Sequence, residues 1–225
     1  MSKVLLYSGG MDSWLIDKLW KPDIKLFIRI HTANNELEYQ RLCYLMEKGY
    51  VDKDSVKIVE MDLSMFERAD QNYFLPLRNL HFVTMAAHFG DEICLGATGS
   101  STHFDKTLPF AEKASDVISY LQSEKGEGPV KIVLPFKDTT KTELLRMYIE
   151  QGGDINKAYE QTVSCYTPCD GKPCMSCTSC TSKFVAFYNN GYKFSDEDIS
   201  KFVKYVESHK EMQKPDVIKL YDRLK

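Results

Sequence analysis

The chain of 225 residues contains no hydrophobic run that approaches the length of a transmembrane helix. Met1 to Val4 lead directly into a predicted strand, which leaves no room for a signal peptide. A basic excess is also missing, since 29 Lys and Arg against 32 Asp and Glu give a net charge of −3, so no general nucleic-acid surface is expected. The sequence has no internal repeat and no low-complexity segment. These absences predict a cytoplasmic globular protein that does not bind membranes.

Strand-like and helix-like patterns alternate along most of the chain. With 43% hydrophobic and 27% charged residues, the chain has the composition of a protein that buries a sizeable core. The alternation predicts an α/β fold, a Rossmann-like parallel sheet of about five strands with helices on both faces. Strands are predicted at residues 3–6, 24–30, 56–61, 92–97 and 131–135. Helices are predicted at 14–20, 36–48, 109–121, 141–151 and 182–188, with one ending near 89 and two starting after Ser195 and near Pro215.

The turn between the first strand and the first helix has the composition of a phosphate-binding loop. It reads Tyr7-Ser8-Gly9-Gly10-Met11-Asp12-Ser13. A strand, a turn of small residues and a helix together aim backbone N–H groups at an anion. Gly9 and Gly10 remove the Cβ atoms that would keep phosphate at a distance, while Ser8 and Ser13 add hydroxyl donors. The carboxylate of Asp12 would be repelled by phosphate unless a cation lay between them, so we expect Mg²⁺ here.

This SGGxDS pattern differs from the other common nucleotide-binding loops. It is not a Walker loop, because the lysine of G-x-x-x-x-G-K-[ST] is missing, and it is not G-x-G-x-x-G. It resembles the PP-loop of the ATP pyrophosphatase superfamily, whose members cleave ATP between the α and β phosphates and adenylate a substrate oxygen. The alternative is an ordinary glycine-rich turn in which Ser and Asp cap the helix.

Further candidates lie where the later strands end, since open α/β sheets bind ligands at their carboxyl edge. His31 follows the second strand, and Arg78 and Asn79 lie just ahead of a mid-chain helix. Arginine suits phosphate or carboxylate recognition through its planar fork of donors. A hydrogen-bonded His31, a surface Arg78 and an N-capping Asn79 are the alternatives on spacing alone.

A second group of candidates follows the fourth strand, which ends at Gly96. The loop at 98–108, which carries His103, Asp105 and Lys106, is predicted to hold substrate. Lys141 opens a later helix, where it would meet phosphate or be solvated; spacing does not distinguish the two.

Five of the seven cysteines fall within sixteen residues of the C-terminal third: Cys165, Cys169, Cys174, Cys177 and Cys180. Two overlapping C-x-x-C units fit a tight thiolate turn, and four thiolates at tetrahedral spacing favour Zn²⁺. A disulfide or redox pair and an iron–sulfur cluster are the alternatives. We expect a structural zinc to stabilise the C-terminal segment, which has little core of its own. Spacing does not say which of the five cysteines is spare.

Together these pieces resemble the 7-cyano-7-deazaguanine synthases of queuosine biosynthesis, members of the PP-loop superfamily. The shared pieces are residues 8–13, 75–79, 162–166, 174–180 and 185–187, together with Lys141. The resemblance covers nearly the whole chain and implies a fold similar to the adenine nucleotide alpha hydrolases. It implies a nucleotide-binding domain at 1–160 and a zinc-binding helical segment at 161–225 packed on it. It also implies that Cys169 is the spare cysteine and that zinc is held by Cys165, Cys174, Cys177 and Cys180.

The resemblance further implies an ATP-dependent C–N ligase that forms AMP. Its substrates would be 7-carboxy-7-deazaguanine and ammonia, and its product the nitrile preQ0, reached through an adenylated carboxylate and an amide. The implied nucleotide-binding residues are Tyr7, Ser8, Gly9, Gly10, Met11, Asp12, Ser13 and Gly96. The implied catalytic residues are Asp12, as the Mg²⁺ ligand, Ser13, Arg78 and Lys141. A homodimer is implied as well.

Two segments depart from the pattern of that family. Residues 101–110 stand where the family carries an S-G-Y-P-D-C-R type segment, and residues 31–35 stand where it tends to have Tyr-Gly-Gln-x-His. A diverged enzyme that stops at the amide, or transfers the acid to a protein amine or a nucleic acid, therefore remains an alternative. Transfer of sulfur to tRNA is disfavoured by the net charge of −3 and by cysteines committed to metal. A non-catalytic zinc protein that only binds nucleotide is a further alternative. It is disfavoured because such a protein would have no need of Asp12.

Overall fold

The computed structural model describes residues 2–68, 75–99, 103–124, 126–162, 164–165 and 173–225. The chain divides into two compact units, Met1–Thr139 and Thr140–Lys225. The boundary at residue 160 between a nucleotide-binding domain and a zinc-binding segment stays a prediction. Within the described ranges, the structure contains no helix that is both long enough and apolar enough to cross a bilayer.

The first unit is built on a parallel sheet whose strands follow the predicted apolar runs. The strands are β1 Lys3–Leu6, β2 Ile24–Arg29, β3 Val56–Glu60, β4 Glu92–Cys94 and β5 Lys131–Val133. They pair in the order β3-β2-β1-β4-β5, all in parallel. The predicted five-stranded sheet is confirmed. β4 ends three residues earlier than predicted, because the N–H of Ala97 turns back onto the carbonyl of Leu95 at 2.7 Å.

Among the residues that the structure describes, four α-helices cover the two faces of this sheet: α1 Met11–Trp20, α2 Ala33–Glu47, α3 Arg78–Ala86 and α4 Leu108–Ser123. Alternate strand residues point to opposite faces. Val4 belongs to the core that α3 and α4 cover, whereas the ring of Phe27 meets that of Tyr39 on α2 with centroids 5.9 Å apart. The strand order reverses beside β1, so the carboxyl ends of β1 and β4 flank the crevice where such folds bind ligands.

The second unit is helical. Its helices are α5 Lys141–Glu150, α6 Ile155–Glu160, α7 Thr178–Tyr188, α8 Asp196–Ser208 and α9 Pro215–Leu224. The predicted starts of α5, α8 and α9 are found where expected. The short α6 was not predicted, and α7 begins four residues before the predicted start because Cys177 caps it, its Sγ accepting the N–H of Cys180.

This unit has a core of its own, contrary to the expectation from sequence. Residues of α7, α8 and α9 pack together, and the ring of Phe184 stacks on that of Phe202 with centroids 4.3 Å apart. Val206, Val217 and Leu220 are fully buried in the same cluster. A metal in this unit would therefore add to an apolar core rather than replace one.

Candidate functional site

The loop between β1 and α1 is folded by hydrogen bonds among its own residues. Gly9 has a φ of +72°, a conformation that favours glycine. The hydroxyl of Ser13 donates to the carbonyl of Gly10 at 3.1 Å and accepts the N–H of Ser8 at 3.3 Å. The Ser8 hydroxyl accepts the N–H of Gly10 at 3.3 Å. These bonds give the loop a fixed shape at the start of the helix.

The N-terminus of α1 is left without a side-chain cap, because its N-cap residue is Gly10. The first-turn N–H groups and the positive end of the helix dipole therefore face the position where an anion would bind. Asp12 lies in this first turn and is half-buried. The predicted succession of strand, turn and helix is found here, while the binding of an anion and of a cation at Asp12 stays a prediction.

Two residues that the resemblance implies as nucleotide-binding have buried side chains. Tyr7 and Met11 are each only 2% exposed and belong to the core. Burial, aided by the charge of Asp17, raises the pKa of Tyr7, so its phenol stays neutral. The roles of the whole loop remain predictions, but any role of these two residues would have to be carried by their main-chain atoms.

Gly96 follows β4 on the same edge of the sheet as the loop. A Cβ built at this position would find Ile16 Cδ1 as its nearest described neighbour, at 3.9 Å, an ordinary contact. The described protein atoms therefore supply no steric reason for glycine here. The resemblance implies Gly96 as a nucleotide-binding residue, and close approach of a ligand would be a reason for glycine there.

Arg78 and Asn79 are the first residues of α3 rather than lying ahead of it. Leu77 is the N-cap, so the alternative of Asn79 as a capping residue is wrong. Asn79 is 2% exposed, and its Nδ2 donates to the carbonyl of Asp105 at 3.4 Å. This bond ties the start of α3 to the predicted substrate loop, while Arg78 remains exposed.

One acidic residue at this edge was missed by the sequence argument. Glu38 lies on α2 and is half-buried. Burial raises its pKa to about 7, against the opposing effects of Arg78, Lys106 and a hydrogen bond from Asn35. The elements that contribute these groups are far apart in sequence, so no local pattern could reveal the cluster.

His31 lies beside two carboxylates that Arg29 also contacts, rather than in this cluster. Its backbone is left-handed, with φ of +61°. Its Nδ1 lies 3.5 Å from Glu36 Oε1, and its Nε2 lies 3.8 Å from Glu60 Oε2. Arg29 holds the same two carboxylates, through Nε at 2.8 Å from Glu36 and Nη1 at 3.0 Å from Glu60. The role of His31 stays a prediction.

Lys141 is the first residue of α5, in the second unit. The helix start is fixed by a capping box: Thr140 N–H donates to Glu143 Oε2 at 2.8 Å, and Glu143 N–H donates to Thr140 Oγ1 at 3.2 Å. Lys141 is half-buried beside it. Its role toward phosphate stays a prediction.

The four cysteines implied as zinc ligands converge in the second unit. The Sγ atoms of Cys165, Cys174, Cys177 and Cys180 all lie within 4.8 Å of one another. Tetrahedral Zn–S bonds of about 2.3 Å place thiolates roughly 3.8 Å apart, and the Cys174–Cys180 separation is 3.9 Å. None of the described cysteines is in a disulfide. The cluster is compatible with zinc.

Backbone N–H groups point at these sulfur atoms. Cys174 N–H donates to Cys165 Sγ at 3.3 Å, and Cys180 N–H donates to Cys177 Sγ at 3.4 Å. The hydrogen bond with Cys177, burial and the neighbouring thiols raise the pKa of the Cys180 thiol. Thiolates this close repel one another, and a bound cation would offset that repulsion.

Several predicted features lie outside the described residues. These are Cys169, the residues at 100–102 of the predicted substrate loop, and Val163 and Tyr166 of the segment that leads to the metal cluster.

Comparison with known proteins supplies independent evidence. A sequence model described as "Queuosine biosynthesis protein QueC" matches residues 23–191. The 7-cyano-7-deazaguanine synthase of Archaeoglobus fulgidus is 30% identical over 92% of this chain and 95% of that protein. The proteins of the same name from Persephonella marina and a Sulfurihydrogenibium species are 26% identical over 84% of the chain and 27% identical over 80%.

One solved structure is also similar. The NMN synthetase of Francisella tularensis superposes with a TM-score of 0.41 at 14% identity, over 95% of this chain and 87% of that one. That likeness is too distant to bear on the site.

Proposed function

The chain belongs to the family of the queuosine biosynthesis protein QueC, and from this premise we propose that it converts 7-carboxy-7-deazaguanine and ammonia to the nitrile preQ0 at the expense of ATP. The observation that carries the proposal is the 30% identity to a 7-cyano-7-deazaguanine synthase over 92% of the chain. The loop of Ser8 to Ser13, closed by its own hydrogen bonds at an uncapped helix start, supports it.

The reaction needs two activations because a carboxylate is a poor electrophile. Adenylation of the acid, with release of pyrophosphate, creates a good leaving group. Ammonia displaces AMP and leaves an amide. A second ATP activates the amide oxygen, and loss of AMP yields the nitrile. The protein contributes mainly positioning and neutralisation of phosphate charge.

In this proposal the first turn of α1 and the loop before it bind the pyrophosphate part of ATP. The backbone N–H groups around Gly9 and Gly10 supply neutral donors, and Ser8 and Ser13 fix the shape of the loop. The half-buried Asp12 would hold Mg²⁺, which when bound offsets the negative charge of the phosphates. Gly96 would let the nucleotide approach the end of β4.

Arg78 and Lys141 are proposed to neutralise the charge that develops during phosphate transfer. Arg78 is exposed at the start of α3, beside the loop that Asn79 anchors. A guanidinium at that position suits either the substrate carboxylate or a phosphate oxygen. Lys141 at the start of α5 would act on phosphate as a point charge.

Zinc is proposed to be structural. Cys165, Cys174, Cys177 and Cys180 form a closed set of four sulfur donors, which leaves no open position for substrate. Bound zinc would fix the chain that approaches α7.

The proposed binding partners of the protein are its small-molecule substrates and a second copy of the chain, with which it would form a homodimer.

The test is incubation of the purified protein with ATP, Mg²⁺, ammonium and 7-carboxy-7-deazaguanine, followed by mass spectrometry of the products. We expect the nitrile, with two AMP released per nitrile. Accumulation of the amide alone would mean that the reaction stops halfway. Absence of both products, with AMP released only when another acceptor is added, would overturn the proposal. Asp12→Asn serves as the negative control, because it removes the charge proposed to hold Mg²⁺.

A further inference from the structure

We propose that Glu38 is the general base that removes protons from the nitrogen atom in both halves of the reaction. This inference rests on the proposed function, since it assigns a role within that chemistry. Glu38 is a half-buried carboxylate on α2. The charges of Arg78, at the start of α3, and Lys106, after β4, influence its ionisation.

The first turn of α2 is fixed firmly to the sheet. Asn35 is buried, its Oδ1 accepts the N–H of Ile30 at 2.7 Å, and its Nδ2 donates to the carbonyl of Ile28 at 3.1 Å. Asn35 thus continues the hydrogen bonding of β2 beyond its end. Glu38 lies three residues later on the helix, hence on the same face, and is held at the carboxyl edge of the sheet. A base needs this kind of fixed position.

Two other elements bring positive charge within electrostatic range of Glu38. Arg78 comes from the start of α3, and Lys106 comes from the short helical turn Phe104–Lys106 after β4. That turn is joined to α3 by the Asn79–Asp105 hydrogen bond of 3.4 Å. The carboxylate is therefore within electrostatic range of the two elements proposed to bind the substrate acid.

The ionisation of Glu38 is balanced for proton transfer at neutral pH. Burial disfavours the carboxylate, while Arg78, Lys106 and the hydrogen bond from Asn35 favour it, and its pKa is raised to about 7. A general base is most effective when its pKa lies near the working pH. Because Glu38 is only half-buried, an accepted proton can leave to water before the next step.

In the first half, the lone pair of ammonia attacks the acyl carbon and the carbon–oxygen bond to AMP breaks. AMP leaves with the electron pair of that bond. The nitrogen then carries three hydrogens and a positive charge, and transfer of one proton to Glu38 gives the neutral amide.

In the second half, the amide oxygen attacks the α phosphate of ATP and pyrophosphate leaves. The nitrogen is now cationic and carries two hydrogens. Glu38 accepts the first, which gives a neutral imidate. Loss of the second, as the carbon–oxygen bond to AMP breaks, forms the triple bond. Each proton passes from Glu38 to water before the next is accepted.

The test compares Glu38→Gln with Glu47→Gln, an exposed glutamate at the other end of α2. Three rates are measured: pyrophosphate exchange into ATP with the acid but no ammonia, amide formation at a fixed concentration of free ammonia, and nitrile formation from supplied amide. In Glu38→Gln we expect unchanged exchange and an unchanged KM for the acid, with both later rates reduced by about 100-fold or more. Glu47→Gln should match the wild type in all three.

The pH dependence gives an independent readout. At fixed free ammonia, the wild-type rate of amide formation should rise with pH through about 7, and this rise should be absent in Glu38→Gln. Glu38→Asp should recover part of the rate, because it restores a carboxylate.

Two results would overturn the role as a base. In the first, Glu38→Gln increases the KM for the acid while amide formation stays normal. Glu38 would then be a residue that binds the N–H groups of the deazaguanine ring. An equal loss of all three rates would make it a positioning residue for Arg78. Failure of the proposed function is distinguishable, because the wild type itself would then show no exchange dependent on 7-carboxy-7-deazaguanine.

Discussion

The ammonium group of Lys183 donates to the carbonyl oxygen of Thr162 at 2.7 Å and to that of Tyr159 at 2.8 Å. It also lies 4.3 Å from the centre of the Tyr159 ring. Lys183 is 6% exposed, so its charge is compensated by two carbonyl dipoles and an aromatic face. Thr162 comes three residues before Cys165. Lys183 therefore holds the chain that leads into the metal cluster.

We predict that Lys183→Met lowers the free energy of unfolding by roughly 2–4 kcal/mol, because it leaves two buried carbonyl groups without a charged donor. Urea denaturation of the zinc-loaded protein measures the change. Lys193→Met is the matched control, since Lys193 is exposed, and it should change the stability by less than about 0.5 kcal/mol. Equal effects of the two substitutions would show that the Lys183 contacts carry little stability.

The metal cluster gives a second prediction. Cys165→Ser should weaken zinc binding by more than about 100-fold, because losing a ligand costs more than losing a group that only orients one. Competition with a chelator measures the affinity, and metal analysis should give one zinc per chain in the wild type. Cys43→Ser, which lies outside the cluster, should leave both values unchanged. If Cys165→Ser bound zinc as tightly as the wild type, a residue other than Cys165 would be the fourth ligand. Cys169 would be the first residue to test.

Gly90 and Gly96 differ in the space that their surroundings leave for a side chain. At Gly90 a Cβ would lie 2.5 Å from the carbonyl oxygen of Ser2, whereas at Gly96 the nearest described atom is 3.9 Å away. Gly90→Ala should therefore lower stability by about 1–3 kcal/mol. Gly96→Ala should leave the melting temperature within about 2 °C of the wild type.

The substitution at Gly96 is also predicted to weaken the binding of ATP. Gly96→Ala should raise the KM for ATP at least about tenfold, because the added methyl group would occupy space needed by the ligand. Pyrophosphate exchange at varied ATP measures it. An unaltered KM in Gly96→Ala would remove this residue from the nucleotide site and leave the loop at Ser8 to Ser13 as the proposed contact.

Features with local causes could be predicted from the sequence. The turn before α1 depends on Gly9 and Gly10 and the strand beside them. The start of α8 depends on Ser195, whose hydroxyl accepts the N–H of Asp198 at 3.1 Å, and such caps act over three residues. The alternation of strands and helices likewise suffices to predict a parallel sheet.

Features with long-range causes could not be predicted. Asn79 looked like a capping residue, but its partner Asp105 is 26 residues away. Glu38 has an ordinary position on a helix, and its raised pKa comes from burial in the folded chain, which Arg78 and Lys106 on other elements oppose. The six-residue α6 is too short for a periodic pattern, and its start depends on a single cap, Asp154.

The last prediction concerns the effect of Glu38 on stability. Its pKa in the folded state is raised from an ordinary value of 4.5 to about 7. The folded protein therefore holds a proton that the unfolded chain has lost between these two values, and stability from this group, fully present below pH 4.5, is lost as pH rises through about 7. Replacing the carboxylate by an amide removes this loss.

Glu38→Gln should thus be more stable than the wild type at pH 8, by roughly 1–2 kcal/mol, and the difference should shrink toward pH 5. Urea denaturation at several pH values measures it, with Glu47→Gln expected to follow the wild type throughout. A variant that loses activity while gaining stability at pH 8 would show that Glu38 is kept for the reaction and not for the fold. A variant that is less stable than the wild type at pH 8 would mean that the pairing of Glu38 with Arg78 and Lys106 outweighs its burial, and that the carboxylate serves to hold α2, α3 and the loop together.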